Sequence, residues 1–174
     1  MSATDRKIII MKKYFLLLLL VGVSATAQKS VNETAVGSVL DSWHRAAAEA
    51  DFDTYFGLMT PGSIFIGTDP TENWDQSEFK AFAKPIFDKG RAWDFKPVDR
   101  NIYFSADGKT AWFDELLDTW MKLCRGSGVL EKQADGDWKI AQYVLSIAIP
   151  NDNTVEVIKI KSAFDDKYLQ ELKK

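Results

Sequence analysis

The sequence is poor in the residues that build metal centres and disulfide frameworks. It contains one cysteine and one histidine among 174 residues. A lone Cys124 has no partner for an intrachain disulfide, and one histidine with one cysteine is too few for a transition-metal site. We therefore expect no metal, a buried and small apolar role for Cys124, and a fold that is stabilised by its hydrophobic core alone.

A strong excess of charge of one sign and the common nucleotide motifs are also missing. The chain holds 22 Lys and Arg against 25 Asp and Glu. Without a basic stripe, nucleic acid is a poor candidate partner. None of the motifs G-x-x-x-x-G-K-[ST], G-x-G-x-x-G or H-E-x-x-H occurs. Nucleotide hydrolysis, dinucleotide redox chemistry and the common zinc-protease pattern thus have no signal, and we expect no cofactor.

The only long apolar run is too short to span a bilayer. Lys12 and Lys13 precede the run Tyr14–Val23, and Ala25-Thr26-Ala27 follows it. A membrane-spanning helix needs about 20 apolar residues. A basic segment, a short apolar run and an A-x-A site are instead typical of a secretory signal peptide. We predict a signal peptide over residues 1–27, with Met11 as an alternative start, export to the periplasm or medium, and no stable membrane anchor.

The rest of the chain predicts one domain over residues 28–153 and a helical extension over residues 154–174. Apolar residues at helical spacing predict a first helix at Ser30–Ala50 and a second at Phe52–Met59, ended by Pro61-Gly62. The capping box of Asp75 and Glu78 predicts a third helix from Gln76 to about Lys89, which Pro85 kinks or divides. A short strand is expected between the second and third helices, at Ser63–Gly67.

After Gly90 the apolar periodicity changes from helical spacing to alternation. The dipeptide Asp107-Gly108 is a strong hairpin signal, and Asp135-Gly136 marks another turn. We predict an antiparallel meander. Its strands are expected near Trp93–Phe104 and at Lys109–Glu115, Arg125–Gln133 and Trp138–Ile149. This order of elements indicates an α+β fold in which a curved sheet wraps around the first helix.

Several segments resemble the SnoaL-like domains of the nuclear transport factor 2 (NTF2)-like and ketosteroid isomerase-like superfamily. The matching segments are Trp43, Ala50–Asp53, Phe65–Asp69 with Trp74, Ala111–Glu115, Arg125–Leu130, and Asp135–Ile140 continuing to Ser146. The resemblance spans about residues 31–153. It implies an NTF2-like cone, with a curved antiparallel sheet around the N-terminal helices.

A cone of this kind predicts both a cavity and a second interface. A strongly curved sheet leaves an open-ended cavity against the first helix, and such cavities are the usual small-molecule sites. In the last strand, Trp138, Ile140 and Gln142 alternate with Ala141 and Tyr143, and both faces are mainly apolar. We expect a second copy to cover the outer face and form a homodimer, or alternatively the C-terminal helix to cover it.

Asp114 and Glu115 are consecutive on a predicted strand, so one of them points into the cavity. An inward carboxylate among apolar side chains would have a raised pKa and could act as a general acid or base. It could equally form a structural ion pair with Arg125, which is predicted on the neighbouring strand. The same pair could clamp a polar ligand.

Other candidates come with a structural alternative. Asp69 lies near the position where ketosteroid isomerases carry their proton-shuttling carboxylate, as the resemblance implies, but an Asp before Pro70 also makes an Asx turn. Helix one carries Trp43 in place of an evident tyrosine acid, and Tyr55 on helix two is the nearest substitute. His44 is expected as a partly exposed helix residue.

Six tryptophans are expected mostly in the core, with one or two at the cavity mouth for a ring-bearing ligand. The predicted ligand-binding residues are Trp43, Asp69, Trp74, Trp112, Asp114, Glu115, Arg125 and Gln142. Asp69 and Glu115 are the candidate catalytic residues. We predict an exported protein that binds a small, largely apolar molecule. The alternatives are a cofactor-free acid–base enzyme of the isomerase, cyclase or hydratase kind, and a scaffold with a filled cone.

Overall fold

The structure is a computed structural model that describes residues 31–174. The predicted signal peptide, the alternative start at Met11 and the first predicted helical residue, Ser30, lie outside this range. Helix α1 covers residues 31–48. The elements that follow are α2 (Phe52–Gly57), β1 (Met59–Ile66), β2 (Asn73–Asp75), α3 (Gln76–Phe87), β3 (Lys96–Phe104), β4 (Thr110–Thr119), β5 (Lys122–Lys132), β6 (Trp138–Ile147), a short 3-10 helix (Asn151–Asn153) and α4 (Thr154–Leu172).

The six strands form one sheet in the order β2-β1-β6-β5-β4-β3. The predicted meander of four antiparallel strands, β3 to β6, is confirmed. Strand β1 pairs with β6 in parallel and with β2 in antiparallel orientation. Neither β2 nor the parallel pair was predicted from the sequence. The α+β cone with a curved sheet, N-terminal helices and a C-terminal helix is nevertheless the observed architecture.

Strand β1 begins earlier than predicted, at Met59, and it includes Pro61-Gly62. Its register with β6 shifts between Met59 and Ile64. Proline has no N–H to donate to a ladder, so it is tolerated in a strand where regular pairing is interrupted. Pro61 therefore lies within β1, although the sequence predicted that it ends a helix.

Helix α3 begins at the predicted capping box, in which Asp75 and Glu78 each accept a hydrogen bond from the other's backbone N–H. It continues through Pro85 and ends at Phe87, so the proline does not divide it. Trp93 and Phe95, which were predicted within a strand, lie in the irregular segment before β3. This irregular segment contributes both aromatic side chains to the pocket described below.

Helix α1 packs its apolar stripe into the concave face of the sheet. Val36, Leu40, Trp43 and Ala47 are buried at the i, i+4, i+7, i+11 spacing of one helix face. The helix ends in a Schellman motif: Asp51 N donates to Ala46 O at 2.8 Å, and Ala50 N donates to Ala47 O at 3.2 Å. Ala50 has a φ of 55° there.

The space between α1 and the sheet is filled by aromatic rings. The Trp43 ring lies 4.6 Å from that of Tyr55 and 4.7 Å from that of Tyr143, measured between centroids. Phe65 stacks on Phe79 at 3.9 Å. The prediction of an open cavity at this level is therefore wrong, because large side chains from the helices and the sheet occupy it.

Helix α4 is present as predicted but contributes no buried side chain. Its Tyr168 Oη lies 3.5 Å from the Pro70 carbonyl oxygen, to which it donates a hydrogen bond. Within residues 31–174, no helix combines the length and the apolar character needed to cross a membrane.

Candidate functional site

A β-bulge in β6 decides which side chains face the interior. Val129 pairs with Gln142 and Leu130 pairs with Ile140, so Ala141 is an extra residue on β6. The alternation of faces therefore changes at Ala141. Ile140 and Tyr143 are both buried, and Gln142 lies on the outer face with the other half-buried residues. The predicted inward position of Gln142 is wrong for this reason.

Glu115 is the inward carboxylate of the Asp114–Glu115 pair, with 1% of its surface exposed. Its Oε1 lies 2.8 Å from His44 Nε2 and accepts a hydrogen bond from Tyr143 Oη at 3.3 Å. Its Oε2 accepts a hydrogen bond from Arg100 Nε at 2.8 Å. We call His44, Arg100, Glu115 and Tyr143 the Glu115 cluster. Asp114 lies on the outer face and accepts from Asn101 Nδ2 at 3.1 Å.

The arginine beside Glu115 is Arg100 and not the predicted Arg125. Arg125 pairs with Leu116 and is exposed on the outer face, because Glu115 itself pairs with Gly126. Arg100 pairs with Glu115 across the β3–β4 hairpin. The two residues are equally distant in sequence from the Asp107-Gly108 turn, so the hairpin signal contained this pairing.

His44 is buried, contrary to the expected partial exposure. It follows Leu40 by four residues and Val36 by eight, so the helical spacing of the buried residues of α1 already indicated its inward direction. The place of His44 beside the carboxylate of Glu115 was not predicted, although this spacing indicates it.

The cluster holds Glu115 in its ionised form. Burial raises the pKa of the Glu115 carboxyl, but hydrogen bonds and charge from His44 and Arg100 outweigh burial and bring the pKa below its usual value. Burial and the Glu115 charge raise the pKa of the Tyr143 hydroxyl well above its usual range. The predicted raised pKa for the inward carboxylate is therefore wrong, since its counter-ions are buried with it.

Arg100 also ties the cluster to α1. Its Nη1 donates to Asp41 Oδ1 at 2.7 Å. Burial lowers the pKa of the Arg100 guanidinium, while Glu115 and Asp41 together raise it above its ordinary value. The arrangement Asp41–Arg100–Glu115 is a partly buried ion-pair chain between α1, β3 and β4, and it fixes the helix on the sheet.

Asp69 forms the Asx turn that was the structural alternative to a catalytic role. Its Oδ1 accepts a hydrogen bond from Thr71 N at 2.9 Å, which is an Asx turn, and the side chain is exposed. Hydrogen bonds from Thr71 lower the pKa of the Asp69 carboxyl. Tyr55, the substitute tyrosine, is fully buried, and burial raises the pKa of its hydroxyl well above the usual range.

The predicted tryptophans are divided between three environments. Trp43 is in the core, beside Tyr55 and Tyr143. Trp112 lies on the outer face, where it stacks on Tyr103 with centroids 5.9 Å apart and is 46% exposed. Trp74 lines a pocket, and it is the only one of these three that meets the expectation of a ring at a cavity mouth.

That pocket lies at the open end of the cone and has a volume of about 160 Å³. We call it the aromatic pocket. Its ring-bearing walls come from β1, β2, α3, the segment before β3 and the β4–β5 turn. These residues are Phe65, Trp74, Phe79, Phe82, Trp93, Phe95 and Trp120. Cys124 is not among the lining residues and is buried as predicted.

One aromatic layer separates this pocket from the Glu115 cluster. Phe65 lines the pocket and lies 5.6 Å from the Tyr143 ring, centroid to centroid. Tyr143 in turn donates to Glu115. The carboxylate therefore supports the wall of the pocket from behind, through Tyr143, and does not line the pocket itself.

Two further crevices open on the surface. One, of about 540 Å³, lies between α4 and the β1–β2 connection and includes Asp69 and Glu72. The other, of about 390 Å³, adjoins the aromatic pocket. Among the described residues, no group of three or more His, Cys, Asp or Glu is arranged to hold a metal ion.

Solved structures with this fold come from several bacteria. One is a protein from Streptomyces avermitilis for which dehydratase activity in the NTF2-like family has only been proposed. It gives a TM-score of 0.61 at 16% identity, over 70% of this chain and 99% of that chain. An NTF2-like protein of unknown function from Pseudomonas putida KT2440 gives 0.59 at 12% identity, over 71% and 92%.

A proposed scytalone dehydratase from Novosphingobium aromaticivorans DSM 12444 gives a TM-score of 0.60 at 11% identity, over 71% of this chain and 89% of that chain. At these identities the likeness shows the fold alone. No curated protein matches the chain. The sequence profile of the SnoaL-like domain matches residues 36–150, which contain the Glu115 cluster and the aromatic pocket. The chain therefore belongs to the SnoaL-like domain family, within the NTF2-like superfamily.

Proposed function

We propose that the protein is exported and binds a small, largely apolar, ring-bearing molecule in the aromatic pocket. The observation that carries this proposal is the pocket wall itself, in which seven aromatic side chains converge on one opening. Aromatic rings offer large apolar area and favour offset or edge-to-face contact with another ring. The site thus lies at the mouth of the cone and not in its interior.

The aromatic pocket offers few polar side chains that could perform acid–base chemistry. The lining includes one carboxylate, Glu72, and its Oε2 accepts a hydrogen bond from Asp69 N at 3.1 Å. Glu115 is ionised and lies behind Phe65 and Tyr143. A general base must come within hydrogen-bond reach of the proton that it removes. These features favour binding over the alternative of a cofactor-free acid–base enzyme.

The pocket favours a small ligand or part of a larger one. Its volume of about 160 Å³ is below the roughly 300–1,000 Å³ of sites for drug-sized molecules. Trp74 and Phe82 stack on each other with centroids 4.5 Å apart, so the pocket has a preformed flat wall. A flat aromatic wall favours a planar molecule over a branched one.

The test uses the fluorescent apolar probe N-phenyl-1-naphthylamine. Phe82→Ala removes one ring of the wall, and we expect it to weaken probe binding about tenfold, because aromatic pairs contribute about 0.5–1.5 kcal/mol beyond area burial. Trp112→Ala is the matched control: Trp112 and Phe82 have similar exposed fractions, 46% and 43%, but Trp112 lies on the outer face. Equal affinities for the two variants would contradict the proposed site.

Glu115→Gln separates binding from catalysis. Under the binding function, we expect less than about a threefold change in probe affinity, because the carboxylate does not line the pocket. An enzyme that used Glu115 as its acid or base would lose about 10²–10⁴-fold of its activity in this variant. Turnover of a ring-bearing carbonyl or alcohol substrate that Glu115→Gln abolishes, while circular dichroism shows the variant still folded, would establish the enzyme in place of the binding protein.

Export rests on the predicted signal peptide over residues 1–27. Expression of the full sequence with cell fractionation tests it, followed by intact-mass analysis of the exported protein. We expect a mature chain that begins at Gln28. A cytosolic protein that retains residues 12–27 would contradict this part of the proposal and leave the pocket unaffected.

A further inference from the structure

The aromatic pocket shares two of its lining residues with a neighbouring polar cavity. Trp93 and Trp120 line both cavities. The second cavity, which we call the polar crevice, has a volume of about 390 Å³. Its charged side chains are Arg91, Asp94, Lys96 and Asp118. The two cavities therefore meet at a pair of indole rings, with apolar walls on one side and charged walls on the other.

Trp120 lies at this junction, in a hydrogen-bonded turn between β4 and β5. It follows the last residue of β4, and 80% of its surface is exposed. Thr119 Oγ1 donates to Lys122 O at 2.8 Å and accepts from Met121 N at 3.0 Å, which closes the turn around Trp120. An indole held this far into solvent has apolar area to offer to a bound molecule.

The charges of the polar crevice balance each other. Arg91 Nη2 lies 3.8 Å from Asp94 Oδ2, and Lys96 is the strand partner of Asp118 across β3 and β4. A carboxylate in the crevice would meet Asp94 and Asp118, and an ammonium group would meet Arg91 and Lys96. An uncharged group that both donates and accepts hydrogen bonds finds partners in each pair without a like charge beside it.

We propose that the two cavities form one binding site for an amphipathic molecule, with its ring body in the aromatic pocket and an uncharged hydrogen-bonding end, such as a carboxamide, in the polar crevice. The inference rests on the proposed function for the ring body. Trp93 and Trp120 hold the middle of the molecule between them. The small volume of the aromatic pocket is consistent with a ligand that extends beyond it.

The test compares three dansyl probes that share one ring body and differ at the end group. Dansyl glycinamide ends in a carboxamide, dansyl glycine in a carboxylate and dansyl ethylenediamine in an ammonium group. We expect the carboxamide to bind about two- to fivefold more tightly than either charged probe. This ratio corresponds to about 0.4–1 kcal/mol, which is within the range that exposed charge pairs contribute.

Two single-charge variants of the crevice should each remove the preference for the carboxamide over one of the charged probes. Asp118→Asn leaves an excess positive charge, and we expect it to improve binding of dansyl glycine about two- to fivefold. Lys96→Gln should do the same for dansyl ethylenediamine. Glu131→Gln on β5 is the control, because it removes one exposed carboxylate outside the crevice and should leave all three affinities unchanged.

Equal affinities of the three probes in the wild type and in both variants would overturn the shared site. Phe82→Ala tells this failure apart from failure of the proposed function. If the probes bind equally and Phe82→Ala still weakens all of them, the ring site stands and the polar end is wrong. If Phe82→Ala also has no effect, the aromatic pocket is not the binding site.

Discussion

At the scale of single residues, Glu115 shows how a buried carboxylate remains charged. Alone in an apolar interior, it would take up a proton. His44 and Arg100 each approach it to 2.8 Å and supply hydrogen bonds to both oxygens. These hydrogen bonds offset the free-energy cost of burying the charge. Glu115 is therefore a fixed anion that links α1 to the sheet.

This fixed anion makes the stability of the fold depend on acidic pH. The pKa of Glu115 is lower in the folded protein than its ordinary value of 4.5. Its contribution to the free energy of unfolding is fully present above pH 4.5 and is lost as the pH falls through the folded-state pKa. We expect urea unfolding to show this loss, and Glu115→Gln to remove that part of the pH dependence.

Glu115→Gln should also lower the free energy of unfolding at pH 7 by about 3 kcal/mol, because it breaks a buried ion pair and leaves the partly buried Arg100 with only the exposed Asp41 as counter-ion. Asp114→Asn is the matched control, since the neighbouring carboxylate is on the outer face. It should change neither the stability at pH 7 nor its acid dependence by more than about 0.5 kcal/mol. Equal losses in the two variants would show that the cluster has no special role.

Part of the site could be predicted from the residues alone. The sequence showed that one of Asp114 and Glu115 points inward, but alternation cannot say which, because the register of the whole sheet sets the face. The Asp107-Gly108 hairpin does bring Arg100 opposite Glu115, and helical spacing turns His44 inward. Together these two signals predict both side chains that bind Glu115.

At the scale of elements, β5 provides room for the cluster by having no side chain at two inward positions. A Cβ on Gly126 would collide with Tyr143 Oη and lie 3.0 Å from Glu115 Cγ. A Cβ on Gly128 would collide with the carbonyl oxygen of Gln142 and lie 2.9 Å from Phe113 Cε1. The glycines thus let the side chains of β4 and β6 meet across β5.

Gly126→Ala is therefore expected to destabilise the protein by about 1–3 kcal/mol, as overpacking in a core typically does. Gly62→Ala serves as its control, because a Cβ at Gly62 has no atom within 4 Å and its φ is not in the left-handed region. Thermal unfolding of both variants measures the difference. A Gly126→Ala protein as stable as Gly62→Ala would mean that the cluster adjusts without cost.

Strand β6 marks the limit of alternation as a guide. Both of its faces are mainly apolar between Trp138 and Ser146, so alternation gives no strong signal there, and the bulge at Ala141 places Tyr143 inside and Gln142 outside. Nothing in the residue types at this point requires an extra residue. The bulge is a property of how β6 pairs with β5 and β1, so it follows from tertiary contacts and not from the local pattern.

At the scale of the whole molecule, the outer face of the sheet carries exposed apolar side chains on three strands, among them Tyr103, Trp112 and Leu123. Helix α4 buries none of its residues against the domain. We propose that a second copy covers this face, as the sequence analysis expected. Apolar surface of this kind commonly marks a protein interface.

Trp112→Glu should weaken such a homodimer, because it places a charge in the apolar face. Sedimentation velocity over a range of protein concentrations measures the change. We expect the wild type to be a dimer. In the variant, the dissociation constant of the dimer should rise at least tenfold, because aromatic residues at the centre of interfaces contribute about 2 kcal/mol or more. Val31→Glu, at a residue 61% exposed on α1, is the control and should remain dimeric.

The parallel pairing of β1 with β6 also has a consequence for the order of folding. Ile64 lies beside Gln142, so the N-terminal half of the domain has no sheet to join until the last strand exists. Closing a loop of this length is slow because its entropic cost precedes the gain from contacts. We therefore expect β1 and β2 to pair only with each other until β6 has been synthesised, and docking of α1 into the cone to be completed after that.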